Sequence, residues 1–114
     1  MTLTSIKKRA DFLVLQQKGS KWVSKSFTLQ ICPNEQLGQR YGLIVTKKLH
    51  KLAVNRNRVK RRLRSLIHEI LPEKAANHTD FAFIARQDTI SKPYDEMKKD
   101  LIWCLKRLEV LKEE

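Results

Sequence analysis

Apolar residues recur at Val59, Leu63, Leu66, Ile67 and Ile70, the spacing of one helical face. They predict a helix from about Leu52 to Leu71, with Pro72 closing it. A second stripe, Met97, Leu101, Cys104, Leu105, Leu108 and Leu111, predicts a final helix over 93–112. Pro93 opens it, in the first turn where proline is tolerated. A shorter helix over 8–18 stops at Gly19, with Phe12 and Leu15 on one side and Gln16 beside Phe12. The stretch 21–32 alternates instead, as one long strand or two short ones. Val23, Phe27, Leu29 and Ile31 form its apolar face; Trp22, Ser24, Ser26, Thr28 and Gln30 form the other. Branched apolar runs at about 41–47 and 80–86 predict two more strands. A polar turn at 33–39, a basic connector through Lys51 and a loop at 87–92 join these elements.

The order helix, strands, helix, strand, helix fits a two-layer α+β domain over 1–114. The middle helix links successive strands, so a parallel pair around a crossover is expected, right-handed by the general rule. At 114 residues and 41% hydrophobic content, the chain can bury one core. No apolar run approaches the roughly 20 residues that span a bilayer. The N-terminus has no apolar stretch of a secretory leader. Cys32 and Cys104 have no motif spacing and read as reduced core thiols, as in a cytoplasmic protein.

Charge changes the picture. Ten positive residues and no acid lie between Glu35 and Glu69, and the whole chain carries a formal +12. Such a balance points to nucleic acid or an anionic membrane. On the middle helix Arg58, Arg61 and Arg64 fall opposite the apolar stripe, with Asn57 and Ser65 among them. Four-residue spacing sets Lys60 beside Arg64 and Arg58 beside Arg62, a repulsion that something external should offset. Guanidinium forks match phosphate oxygens.

Other features have two readings each. The polar face of 21–32 either meets water or floors a groove with hydroxyl and amide donors. Phe12 is either core or a stacking platform for single-stranded RNA. Trp103 and Val110, off the main stripe, either cover the sheet edge or form a contact patch. Catalytic patterns are thin: His50, His68 and His78 are isolated, and His68-Glu69 has no second histidine four residues on. Asp95, Glu96, Asp100 and Glu109 decorate the last helix without a pair set for acid–base work.

The run Ala53-Val54-Asn55-Arg56-Asn57-Arg58-Val59-Lys60-Arg61 resembles the Arg-Asn-Arg signature of the bacterial ribonuclease P protein subunit. Lys8-Arg9-Ala10-Asp11-Phe12 is similar to that family's opening helix, and Gly42-Leu43-Ile44-Val45-Thr46-Lys47-Lys48 to its strand before the signature. Phe81-Ala82-Phe83-Ile84-Ala85-Arg86 is similar to its last strand, and Tyr94-Asp95-Glu96-Met97 to the start of its final helix.

The resemblance implies a four-stranded sheet packed on helices, with a left-handed β-α-β crossover in place of the right-handed default. It implies a catalytic RNA as partner, precursor tRNA as substrate, and removal of the 5′ leader by hydrolysis at Mg²⁺ held mainly by RNA and substrate. The chain is then the non-catalytic subunit of an endoribonuclease, needing no membrane and no protein partner. Carried over by residue, Arg56, Asn57, Arg58, Lys60, Arg61 and Arg64 face the catalytic RNA, with Lys47, Lys48 and Lys51 nearby. Phe12, Gln16, Ser26, Thr28 and Gln30 line the leader cleft. Gln16 and Gln30 stand where many members have aromatics, which makes this cleft less stacking and more hydrogen-bonding. A ribosomal-type RNA-binding protein without a substrate role is the alternative. A stand-alone nuclease lacks its carboxylate cluster, and a helix-turn-helix needs a helix where 41–46 reads as strand.

Overall fold

A computed structural model describes residues 3–48 and 50–112; Leu49, within the predicted basic connector, lies outside the described residues. The chain runs β1 (Leu3–Ser5), α1 (Arg9–Lys18), β2 (Ser20–Val23), β3 (Phe27–Pro33), β4 (Gln39–Ile44), α2 (Ala53–Lys74), β5 (Thr79–Ala85) and α3 (Tyr94–Arg107). A single 3₁₀ turn at Gln87–Ile90 occupies the predicted loop after β5. One sheet has the order β1-β4-β5-β3-β2. β4 and β5 are adjacent and parallel, so α2 is the expected crossover.

The sheet's first face holds the core. Leu29 pairs with Phe83, and Ile31 and Tyr41 flank Phe81 on its two sides. The Phe27 and Phe83 rings meet at 5.3 Å, tilted by 60°. Onto this face pack the predicted stripes of both long helices: Val59, Leu63, Leu66 and Ile67 of α2, and Met97, Leu101, Cys104 and Leu105 of α3. All eight are fully buried. The second face is covered in part by α1, where Leu15 and Ile6 close on Ala82.

Five strands, not four, make the sheet. β1 is three residues long and largely exposed, too short to leave an alternating pattern. The stretch 21–32 is two strands, and the turn between them reverses the expected faces. Ser24 makes that turn: its Oγ donates to the Phe27 carbonyl at 2.6 Å and accepts the Phe27 N–H at 3.1 Å. Trp22 then pairs with Leu29 and Val23 with Thr28. Trp22 therefore packs against the core, and Val23, expected inside, is 52% exposed.

The helix ends differ as well. Pro72 does not close α2, which continues to Lys74. It sits in the last turn, where one missing N–H does not stop the chain. The buried Gln39 amide caps that end, donating to the carbonyls of Leu71 at 2.7 Å and Ala75 at 3.0 Å. α3 stops at Arg107 rather than 112. Glu109 adopts a φ of 61°, and the Glu109 and Val110 N–H groups bond back to the Lys106 and Leu105 carbonyls at 3.1 and 2.9 Å. This is a Schellman stop without the usual glycine. Leu111 forms an extended bridge to Ala75 and still packs on the core.

Strand directions sort the connections. The turn at 24–26, the connector at 45–52 and the segment 86–93 share one end of the sheet. The turns at 34–38 and 75–78 lie at the other.

Candidate nucleic-acid interface

Burial of one α2 stripe dictates what the helix shows to solvent. Asn57, Arg58, Arg61 and Arg64 are exposed, and Lys60 is half-buried beside them. Lys47, Lys48 and Lys51 are exposed in the connector leading into α2. Among the described residues, none of these seven cations makes an ion pair; the ion pairs join Arg40 to Asp11 and Asp80, and Lys98 to Glu69. The face is thus a set of uncompensated positive charges on a rigid element.

Arg56 is placed differently. Its Nη1 donates to the carbonyls of His50 at 3.0 Å and Lys51 at 2.8 Å. It fastens the connector to the first turn of α2, and only the rest of its fork is available to an anion. Arg62 turns inward too, donating to the Lys92 carbonyl and to Met97 Sδ, and so ties α2 to α3.

The groove lies on the second face. The Phe12 ring rests on Gly42 so closely that a β-carbon at residue 42 would lie 2.1 Å from Phe12 Cζ. Phe12, Leu13 and Gln16 of α1 form one wall of a groove of about 530 Å³; Leu43 and Ile44 at the end of β4 form the other. Lys7 and Arg9 stand at its mouth. A second groove of about 350 Å³ follows the β1–β4 edge and is lined by Phe12, Gly42, Lys60 and Arg64. Phe12 therefore borders both the first groove and the basic helix.

An ionic clamp that sequence reasoning missed holds α1 over the sheet. The Arg40 guanidinium donates through Nε and Nη2 to Asp80 at 2.8 and 2.6 Å, and through Nη1 to Asp11 of α1 at 3.2 Å. The hydrogen bond with Asp80 is the main cause that raises the Arg40 pKa above its ordinary value. No local pattern announces a contact over 40 residues.

Two expected cleft residues lie elsewhere. Ser26 is fully buried on the other side of the sheet, its Oγ donating to Asp100 Oδ2 of α3 at 2.5 Å. The reversal of faces at the Ser24 turn puts it there. Gln30 is on the groove face but only 7% exposed, and its Nε2 donates to the Gln16 carbonyl at 3.0 Å. It fastens α1 to β3 from beneath. Thr28 is half-buried on the same face, and Gln16 is exposed in the groove.

The three histidines have structural partners. His50 Nε2 lies 3.3 Å from the Arg86 carbonyl, His68 meets the Tyr41 ring edge-on at 5.7 Å, and His78 Nδ1 accepts the Gly38 N–H at 3.0 Å. Both cysteines are free thiols, Cys104 buried and Cys32 half-buried. Burial pushes the Cys104 thiol up to about 11. Among the described residues no group of three His, Cys, Asp or Glu side chains could hold a metal ion. No helix among the described residues is long and apolar enough to cross a membrane.

A small α+β domain with an unneutralised arginine face beside an aromatic groove defines an RNA-binding protein. The ribonuclease P family profile matches residues 2–109. The ribonuclease P protein component of Erythrobacter litoralis is 40% identical over 102 residues, covering 90% of this chain and 83% of that one. That of Bacillus cereus strain B4264 is 41% identical over 103 residues, covering 90% and 88%. The solved RNase P protein of Staphylococcus aureus superposes with a TM-score of 0.77 at 30% identity, covering 95% of this chain and 97% of that one. The chain belongs to the ribonuclease P protein family. It is the protein subunit of ribonuclease P, an endoribonuclease, and its partner in that ribonucleoprotein is the ribonuclease P RNA.

Proposed function

We propose that the chain holds the 5′ leader of precursor tRNA in the Phe12 groove while its α2 face lies on the catalytic RNA. The observation that carries this reading is the position of Phe12, which lines both the groove and the recess lined by Lys60 and Arg64. A single strand stacked on Phe12 then runs within reach of the basic helix. Its phosphates and those of the catalytic RNA approach one another, and the lysines and arginines offset that repulsion. Gln16 supplies an amide donor and acceptor at the groove wall, where base edges pass.

Hydrolysis in this reading belongs to the RNA subunit, with Mg²⁺ held mainly by RNA and substrate. Several of the protein's acids are engaged in holding the fold: Asp11 and Asp80 by Arg40, Glu69 by Lys98, Asp100 by Ser26. The protein positions and neutralises in the cytoplasm, without another protein partner.

The test is an affinity comparison on the assembled ribonucleoprotein. Precursor tRNA should bind more tightly than mature tRNA, and lengthening the leader should increase the difference until the groove is filled. A ribosomal-type protein would be indifferent to leader length, and equal affinities would overturn the assignment of the groove.

A further inference from the structure

α3 puts one aromatic outside its buried stripe. Trp103 precedes Cys104, so it stands at the border of the packed face and is 46% exposed. Beside it a groove of about 480 Å³ separates α3 from the tip of the β2–β3 turn. Lys25 comes from the turn, Lys92 from the approach to α3, and Lys99 from α3 itself. Ser24 adds a polar group at the rim. The groove lies on the α3 side of the sheet, across from the α1 face that carries Phe12.

Two further observations bear on what the groove accepts. First, the indole is preorganised: Arg107 Cζ sits 4.7 Å from the Trp103 ring centroid and 5.3 Å from that of Trp22. One guanidinium bridging two indoles holds Trp103 on the groove wall. Second, the charges are unequal. Two acids, Glu96 and Asp100, line the groove against three lysines, and Asp100 is held towards the sheet by the buried Ser26 hydroxyl. Lys25 also lines a neighbouring recess with Arg86, Gln87 and Asp88.

From this geometry we infer a second single-stranded RNA site, distinct from the Phe12 groove: a base stacks at Trp103 and the adjoining phosphates lie along Lys25, Lys92 and Lys99. An aromatic platform flanked by flexible cations is the sequence-tolerant way to bind a single strand. A hydrophobic protein partner suits it less, because apart from Val23 the side chains lining the groove beside the indole are charged or polar.

The chain has only two tryptophans; Trp103 lines this groove and Trp22 shares Arg107 with it, so intrinsic fluorescence reports the site. The experiment titrates the full chain with a single-stranded oligouridylate. Expected is saturable quenching that weakens with salt and persists in Phe12→Ala and in Trp22→Phe. Trp103→Ala should lower the affinity of that phase by about fivefold or more, read by anisotropy of a labelled oligonucleotide in the Phe12→Ala background. Lys92→Glu with Lys99→Glu should flatten the log–log salt dependence by roughly 0.7 per lost contact. Circular dichroism should stay unchanged, since these side chains are not in the core. Absence of quenching, or quenching and affinity indifferent to the lysine reversals, would overturn the site. So would a dimer, seen by sedimentation, that the same reversals dissolve, since the face would then belong to a second copy. Loss of leader-dependent affinity in the Phe12 groove with this phase intact would overturn only the leader reading.

Discussion

Phe12 and Gly42 form a seat that fits only because residue 42 has no side chain: the ring carbon Cζ is 2.1 Å from where a β-carbon would be. A glycine on a strand commonly marks close approach by another group. Here the group is the aromatic that borders both grooves.

Gly42→Ala should lift Phe12 from its seat. The overpacked contact should cost about 1–3 kcal/mol of stability. The preference for precursor over mature tRNA should fall with it. Phe12→Ala should reduce the same preference by about 1–3 kcal/mol, the usual worth of base–aromatic stacking. Chemical denaturation and both tRNA affinities are the measurements. A large stability loss in Phe12→Ala with equal effects on the two tRNAs would return Phe12 to a purely structural role.

Gln16 and Gln30 should respond in opposite ways to an aromatic. Gln16→Phe places a ring in the open groove and should strengthen precursor binding. Gln30→Phe removes the bond to the Gln16 carbonyl and forces a larger group beneath α1. It should cost stability, about 1 kcal/mol for the hydrogen bond and more for the misfit. Thermal melting and precursor affinity, measured on each variant, separate the two outcomes.

How far the chain could be read from its letters follows from the range of each signal. The α2 and α3 stripes were legible because a buried helical face repeats every three to four residues. The Ser24 turn was not, because continuous alternation hides a change of faces when the turn residues are themselves small and polar. Ser26 was misplaced for that reason. Gln30 was put on the correct face, but its bond to the Gln16 carbonyl depends on where α1 lands. Arg40 was read only as one more positive charge, since Asp80 is 40 residues away. Leu108 and Leu111 stayed in phase with the α3 stripe, and Glu109 gives no stop signal comparable to glycine. The basic face needed no long-range knowledge. The groove's leader role came from the family resemblance rather than from any pattern.

Arg58→Ala with Arg61→Ala should weaken binding to the ribonuclease P RNA while leaving the fold intact, because both side chains are exposed opposite the buried stripe. Each lost phosphate contact should remove roughly 0.7–0.9 from the log–log salt slope. Arg56→Ala should differ. It also releases the carbonyls of His50 and Lys51, so it should lower the melting temperature as well as the RNA affinity. A salt titration with parallel melting curves checks both statements.

Alkaline stability should report on Cys104. Its buried thiol is pushed from 9.0 up to about 11. The raised value belongs to the folded state, so the contribution is complete below pH 9 and is lost as pH rises through about 11. Two pKa units correspond to roughly 3 kcal/mol. Cys104→Ala should be less stable at neutral pH but should show a smaller decline over that window. Equal declines in the two proteins, followed by chemical denaturation, would mean that the thiol ionises freely in the folded chain.

The most direct measurement is precursor tRNA cleavage as a function of Mg²⁺, by the ribonuclease P RNA alone, by the purified protein alone, and by the two together. The expected result is no cleavage by the protein alone, and a lower Mg²⁺ requirement for the mixture than for the RNA alone. Cleavage by protein demonstrably free of RNA, or an unchanged Mg²⁺ requirement in the mixture, would contradict a role of positioning and charge neutralisation.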